Sequence, residues 1–268
     1  MIIDCHTHAP TIDSMKKLVA SMKKNKIAKS LVLYYRDIAE WAIGAPHLRE
    51  FMKNIASYPN LYAIGSIRMT NNPDFKKDLG ELEGYVKNKK IVGIKIYLGY
   101  ERIYANDPKL DPVYKLCLKY DIPVIFHTGD ILDSPQGMIR FANPVPIDDV
   151  ASKNPSLKIL ICHLGNPWTR ETALIVNRHK NVYTDISGTL SAGTKYKRQD
   201  NEFLKKRVLE LVAWCDGPKK LLFGTDFDGL DKLPYKQEDY IQFLKTFKFS
   251  KEELELINHL NAEKLFKI

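Results

Sequence analysis

Eight short, almost continuously apolar runs punctuate this chain, and amphipathic stretches of helical period separate them. The runs are Ile2–His8 (IIDCHTH), Ser30–Tyr35 (SLVLYY), Leu61–Ile67 (LYAIGSI), Ile91–Leu98 (IVGIKIYL), Ile122–His127 (IPVIFH), Leu157–Cys162 (LKILIC), Val182–Ile186 (VYTDI) and Leu221–Gly224 (LLFG). A strand covered on both faces has no side to give to water, so it reads as an unbroken apolar run. That is the mark of a parallel sheet. Helices are expected at 12–29, 47–57, 73–89, 111–120, 145–152, 167–179 and 201–214, with two more at 236–247 and 251–266. In the first, Ile12, Met15, Leu18, Val19 and Met22 recur at helical spacing among lysines. An open doubly wound sheet would want a glycine-rich phosphate turn after the first strand, and neither GxGxxG nor GxxxxGK[ST] occurs. Eight βα units in 268 residues therefore predict a single-domain (β/α)8 TIM barrel over residues 1–268.

Composition narrows the setting. No apolar run approaches the roughly 20 residues of a membrane span, and no secretory signal is evident, so a cytoplasmic protein is expected. The four cysteines (Cys5, Cys117, Cys162 and Cys215) are far apart and read as reduced, buried thiols. The formal charge of +9 raises the possibility of nucleic acid, but the lysines are scattered and acidic residues interleave them. A nucleic-acid footprint would be one basic stripe with aromatics in it.

In the first run, strand alternation would set Asp4, His6 and His8 on one face and Ile3, Cys5 and Thr7 on the other. Two imidazoles at i, i+2 make a poor apolar face and a good metal face, although a pair of solvated edge histidines reads the same way. The barrel expectation separates the two readings, because it places chemistry at the C-terminal ends of the strands. His6 and His8 end the first strand, His127 the fifth, His163 the sixth, and Asp226 follows the eighth. Four of the chain's seven histidines thus gather at one end of the barrel.

These residues resemble the amidohydrolase superfamily, in its "amidohydrolase 2" branch, which includes the aminocarboxymuconate-semialdehyde decarboxylase relatives. The resemblance runs through His6-Thr7-His8, Cys162-His163-Leu164-Gly165-Asn166-Pro167-Trp168, Asn181-Val182-Tyr183-Thr184-Asp185-Ile186-Ser187-Gly188, Phe223-Gly224-Thr225-Asp226 and Asn261-Ala262-Glu263-Lys264-Leu265-Phe266. It implies that His6, His8, His127 and Asp226 hold one divalent ion. Zinc is the default, and Mn, Fe or Co also suit nitrogen and oxygen ligands. It implies that His163 stays unligated as acid or base, with Asp226 sharing the proton traffic. Such an ion activates water. The expected activity is hydrolysis of a small anionic substrate (a lactone, ester or amide). The alternative is nonoxidative decarboxylation of an unsaturated or aromatic carboxylate. A metal-dependent nuclease or nucleic-acid-binding protein is a third reading, opposed by the lack of a glutamate in Lys95-Ile96-Tyr97.

Substrate-binding candidates are Arg68, which could clamp a carboxylate, Tyr97 and Trp168, with Tyr100 and Arg170 nearby in sequence. Lys95 should face inward and pair with Asp4, since an unpaired buried charge is costly. Some relatives instead carboxylate a lysine on this strand to bridge two metals. His47, His179 and His259 read as surface or packing residues. A homo-oligomer is possible.

Overall fold

The computed structural model describes residues 1–35, 45–132, 134–190, 197–230 and 236–268. The strands are β1 (Ile3–Thr7), β2 (Lys29–Leu33), β3 (Leu61–Ser66), β4 (Ile91–Ile96), β5 (Val124–Phe126), β6 (Ile159–Ile161), β7 (Val182–Asp185) and β8 (Leu221–Leu222). They form one sheet in sequence order, every neighbouring pair parallel. Hydrogen bonds from Cys5 N to Phe223 O (3.0 Å) and from His8 N to Phe227 O (2.7 Å) join the last segment to the first. The fold is the expected (β/α)8 barrel.

The helices are α1 (Ile12–Asn25), α2 (Leu48–Ile55), α3 (Phe75–Lys87), α4 (Asp111–Tyr120), α5 (Val145–Lys153), α6 (Thr169–Arg178), α7 (Lys197–Trp214), α8 (Gln237–Leu244), α9 (Lys251–Glu255) and α10 (Asn261–Phe266). Local chemistry sets several boundaries. Thr11 and Ser14 form a reciprocal capping box that starts α1, and Ser250 and Glu253 do the same for α9. The strands are shorter than the apolar runs because several run ends turn into the loops that carry the site.

Two apolar layers hold the barrel. Outward residues such as Val32, Ile94, Ile96, Phe126, Ile159, Ile161 and Phe223 pack under the helices. Inward residues (Ile3, Cys5, Leu31, Leu33, Ile64, Ile125, Leu160, Cys162, Tyr183 and Leu222) fill the interior with Ala262, Leu265 and Phe266 of α10. These α10 residues plug the end opposite the histidines.

The first strand departs from simple alternation. Ile3 and Cys5 point inward, and Asp4 points outward toward α8. Asp4 Oδ2 accepts from Thr225 Oγ1 (2.7 Å) and Gln237 Nε2 (2.9 Å), and Oδ1 accepts from Thr225 N (3.1 Å). The β1–β2 register shifts between Asp4 and Thr7, and such an irregularity re-aims the following side chains. His6 thereby reaches the barrel mouth, and Asp4 does not share its face as alternation suggested.

Candidate active site

Asp226, with φ of 64°, lies in the left-handed region, as does His163 with φ of 60°. Non-glycine residues rarely hold that conformation, which costs about 1–3 kcal/mol unless the surroundings impose it. Both are fixed from behind. Asp226 N donates to His6 O (2.8 Å), and His163 N donates to Asp185 Oδ1 (2.9 Å). Cys162 already points inward, so the turn at His163 brings two consecutive residues toward one place.

Hydrogen-bond partners then decide which nitrogen of each ring is free. His6 Nδ1 lies 3.0 Å from Asp185 Oδ2 and 2.8 Å from Ser187 Oγ. His8 Nδ1 lies 3.1 Å from the Leu33 carbonyl oxygen. A carbonyl or carboxylate only accepts, so both Nδ1 atoms carry hydrogen, and the neutral rings turn Nε2 lone pairs forward. Those Nε2 atoms lie 3.4 Å (His6) and 3.2 Å (His8) from Asp226 Oδ1. His6 Nε2 is buried and has no hydrogen-bond partner among the described residues. Burial, helped by the charge of Lys95, pushes His6 down to about 3, against the pull of Asp185. Burial alone would raise the Asp226 carboxyl. The His8 hydrogen bond and the nearby His6 and His163 rings reverse this and hold it well below the usual carboxylate range. Asp185 is held low in the same way, with His6 the main counterweight to burial.

The donor atoms of His6, His8 and Asp226 all lie within 4.8 Å of one another, as do those of His6, Cys162 and His163. His127 is in neither group. Its Nε2 is 2.8 Å from the Asp130 carbonyl oxygen, and its Nδ1 faces His163 Nε2 at 3.2 Å. His163 Nδ1 contacts Ser187 O (2.9 Å) and Ser187 Oγ (2.9 Å). Burial pushes both rings down.

Above this cluster lies a cavity of about 390 Å³ whose wall includes Tyr35, Tyr97, Tyr100, Asp130, Leu132 and Asp228. Of the substrate candidates, Tyr97 lines it, with its hydroxyl donating to Tyr34 O (3.0 Å). Tyr100 also lines it and sits edge-on to His127. Arg68 does not: it is exposed, donates to Thr70 O, and lines a separate cavity of about 840 Å³ with Arg49, Lys77 and Glu81. Trp168 is half-buried at the start of α6 and does not line the histidine cavity. Arg170 is exposed and pairs with Glu210. The expected Lys95–Asp4 pair does not form. Lys95 faces inward and Asp4 outward, and Lys95 Nζ donates instead to Cys162 Sγ (2.8 Å). His179 and His259 pair with Asp148 and Glu263 outside the site, and His47 precedes α2.

The family model described as Amidohydrolase matches residues 3–268. The chain belongs to the amidohydrolase family. No curated protein matches the chain in sequence. Among solved structures, an uncharacterised TIM-barrel protein from Bordetella bronchiseptica is 19% identical with a TM-score of 0.73, over 99% of this chain and 98% of that one. A candidate 2-pyrone-4,6-dicarboxylic acid hydrolase from Pseudomonas putida is 14% identical with a TM-score of 0.71, over 99% and 97%. A 5-carboxyvanillate decarboxylase from Novosphingobium aromaticivorans, complexed with manganese and a nitrobenzoic acid, is 15% identical with a TM-score of 0.62, over 99% and 95%.

Amidohydrolases are metal-dependent enzymes, and the donor set fits a divalent ion on its own geometry. Two lone pairs and a carboxylate oxygen face one another without a hydrogen between neutral rings, and a buried nitrogen has no hydrogen-bond partner among the described residues. Such a donor set suits a divalent cation. Asp185 and Ser187, which orient His6 and His163 from the end of β7, were not picked out by sequence reasoning, nor were Tyr35 and Asp130. Asp185-Ile186-Ser187-Gly188 stands at a strand's C-terminal end, so the rule that found the histidines could have found it.

Proposed function

We propose that this amidohydrolase is a metal-dependent hydrolase of a small carbonyl compound, a lactone, ester or amide. The single observation that carries the reading is the His6–His8–Asp226 cluster, whose free donor atoms converge under a cavity of substrate size. His6, His8 and Asp226 would hold the ion, with His127 Nδ1 a further donor on the same side. Zinc is the first choice, and manganese, iron or cobalt fit the same donors. When bound, such an ion supplies Lewis acidity and an activated water. Asp226 turns Oδ1 toward His6 and His8, and its second carboxylate oxygen could accept a proton from a nucleophilic water. His163 lines the cavity with Nδ1–H tied to the Ser187 carbonyl, so its Nε2, beside His127 Nδ1, is a proton acceptor that could pass the proton on to a leaving group. Tyr35, Tyr97 and Tyr100 form a wall that suits a flat, partly apolar body.

Neither Arg68 nor Trp168 lines this wall, and Asp130 and Asp228 do. Among the described residues, attraction for an anionic substrate therefore rests on Lys95, beside any bound ion. A second reading, nonoxidative decarboxylation, is supported by the same tyrosine wall and by the fold's likeness to a decarboxylase. The test is turnover of the metal-loaded protein on a panel of lactones, esters, amides and aromatic carboxylates in ¹⁸O-water. Label entering the product supports hydrolysis. Release of CO2 without label supports decarboxylation and overturns the hydrolytic assignment.

A further inference from the structure

Lys95, a residue of the cavity wall, meets Cys162, the residue before His163, in the barrel interior. Both are fully buried. Lys95 Nζ lies 2.8 Å from Cys162 Sγ, within hydrogen-bonding distance of the sulfur. No carboxylate lies within ion-pair distance of that nitrogen among the described residues, the Tyr97 ring lies 5.4 Å away, and the nitrogen's charge is felt by the His6, His127 and His163 rings. A buried lysine would normally be held by a carboxylate. This one is held against a thiol instead, on strands two apart in the ring, with the side chains directed at each other. Lys95 also forms part of the cavity wall, so the pair lies directly beneath the cavity.

We propose that Lys95 and Cys162 form an oxidative covalent cross-link in which one oxygen atom bridges Nζ and Sγ, and that hydrogen peroxide is the oxidant. The 2.8 Å separation is close to the span of one two-coordinate oxygen and too long for a direct N–S bond. One peroxide oxidises the Cys162 thiol to a sulfenic acid and departs as water. A second oxidises the Lys95 amine to a hydroxylamine and also departs as water. The hydroxylamine oxygen then attacks the sulfenic sulfur. The O–S bond forms, the S–OH bond breaks, and the hydroxide leaves as water with the hydroxylamine O–H proton. Nitrogen and sulfur each lose two electrons, two peroxides accept the four, and three waters are released. Burial makes the reaction slow beside that of a surface thiol, and a dithiol reductant reverses it. The bridge removes the Lys95 charge from the cavity and ties β4 to the residue that precedes His163.

The full-length, metal-loaded protein is treated with hydrogen peroxide, quenched with catalase, alkylated and digested with trypsin without reductant. The expected result is a gain of one oxygen with loss of two hydrogens, peptides joined through Lys95 and Cys162, and loss of tryptic cleavage after Lys95. Excess dithiothreitol restores both residues. Cys117, a buried thiol of the outer core, is the internal control and stays alkylatable once the chain is unfolded. A free, disulfide-bonded or sulfinic Cys162 with normal cleavage at Lys95 overturns the proposal. So does a joined product that has lost two hydrogens without gaining oxygen. Lys95→Arg keeps a cation at the site and is expected to abolish the joined product. The same mass change on Cys162 in that variant overturns the proposal as well.

Discussion

Replacing Asp185 by Asn tests whether the His6 lone pair is what the site is built to present. Asp185 is fully buried at the end of β7. Its Oδ1 accepts from His163 N (2.9 Å) and Ser187 N (3.0 Å), and an asparagine oxygen can keep both. Its Oδ2 faces His6 Nδ1 at 3.0 Å, and there the amide would present N–H instead. Two donors cannot share that contact, so His6 must move its hydrogen to Nε2, the atom meant for the cation. Losing such an outer partner typically lowers metal affinity about 10–100-fold. At about 1.4 kcal/mol per tenfold, that is about 1.4–2.8 kcal/mol. The forced tautomer puts the expectation at the upper end. Competition with a chromophoric chelator on metal-free protein measures it directly. Asp4→Asn is the control, because Asp4 is equally buried but faces α8. Unchanged affinity in Asp185→Asn, or an equal loss in Asp4→Asn, would refute the argument.

Asp226→Asn should reduce metal content from one ion per chain toward none, read by elemental analysis after dialysis against metal. His163→Asn should keep its metal and lose roughly 10²–10⁴-fold in turnover, the usual worth of a positioned acid or base. If its metal is lost instead, His163 is a ligand. Gly188, with φ of +61°, has no room for a Cβ, which would stand 2.8 Å from both Asp226 Oδ2 and His163 Nδ1. Gly188→Ala should therefore lose activity while circular dichroism shows the fold retained. Burial pushes Asp4 up to about 7, against hydrogen bonds from Thr225, Gln237 and His6 N. Its folded value lies above its unfolded one, so its contribution to stability is complete below about pH 4 and is lost as pH rises toward 7. Urea midpoints from pH 4 to 8 should fall through that window in the parent and flatten in Asp4→Asn.

The barrel was legible because parallel strands covered on both faces cannot hide their composition. His6, His8 and Asp226 were legible because the ends of such strands are where a barrel exposes side chains. Asp4 was misread because period-two alternation assumes an even ladder, and the register shift after Asp4 is a backbone event that no side-chain pattern records. The same error produced the expected Lys95–Asp4 pair. Arg68 and Trp168 depended on the path of a loop, which sequence position does not supply. His127 was placed at the correct strand end. Its ring orientation follows from the Asp130 carbonyl, a backbone acceptor that spacing rules do not count. Asp185 and Ser187 stand in a stretch that carries the resemblance, but their hold on His6 and His163 is made by contacts across the ring that strand-end position does not supply.

The site straddles the seam of the ring. His6 and His8 come from the first strand, Asp226 follows the last, and the two meet through the backbone contacts of Cys5 and His8 with Phe223 and Phe227. A cation held there fastens the two edges of the sheet like a clasp. Its binding energy counts toward keeping the cylinder shut, because an opened chain offers no comparable grip. Stripping the ion should therefore loosen the barrel first along β8 and β1, and amide exchange there would reveal it.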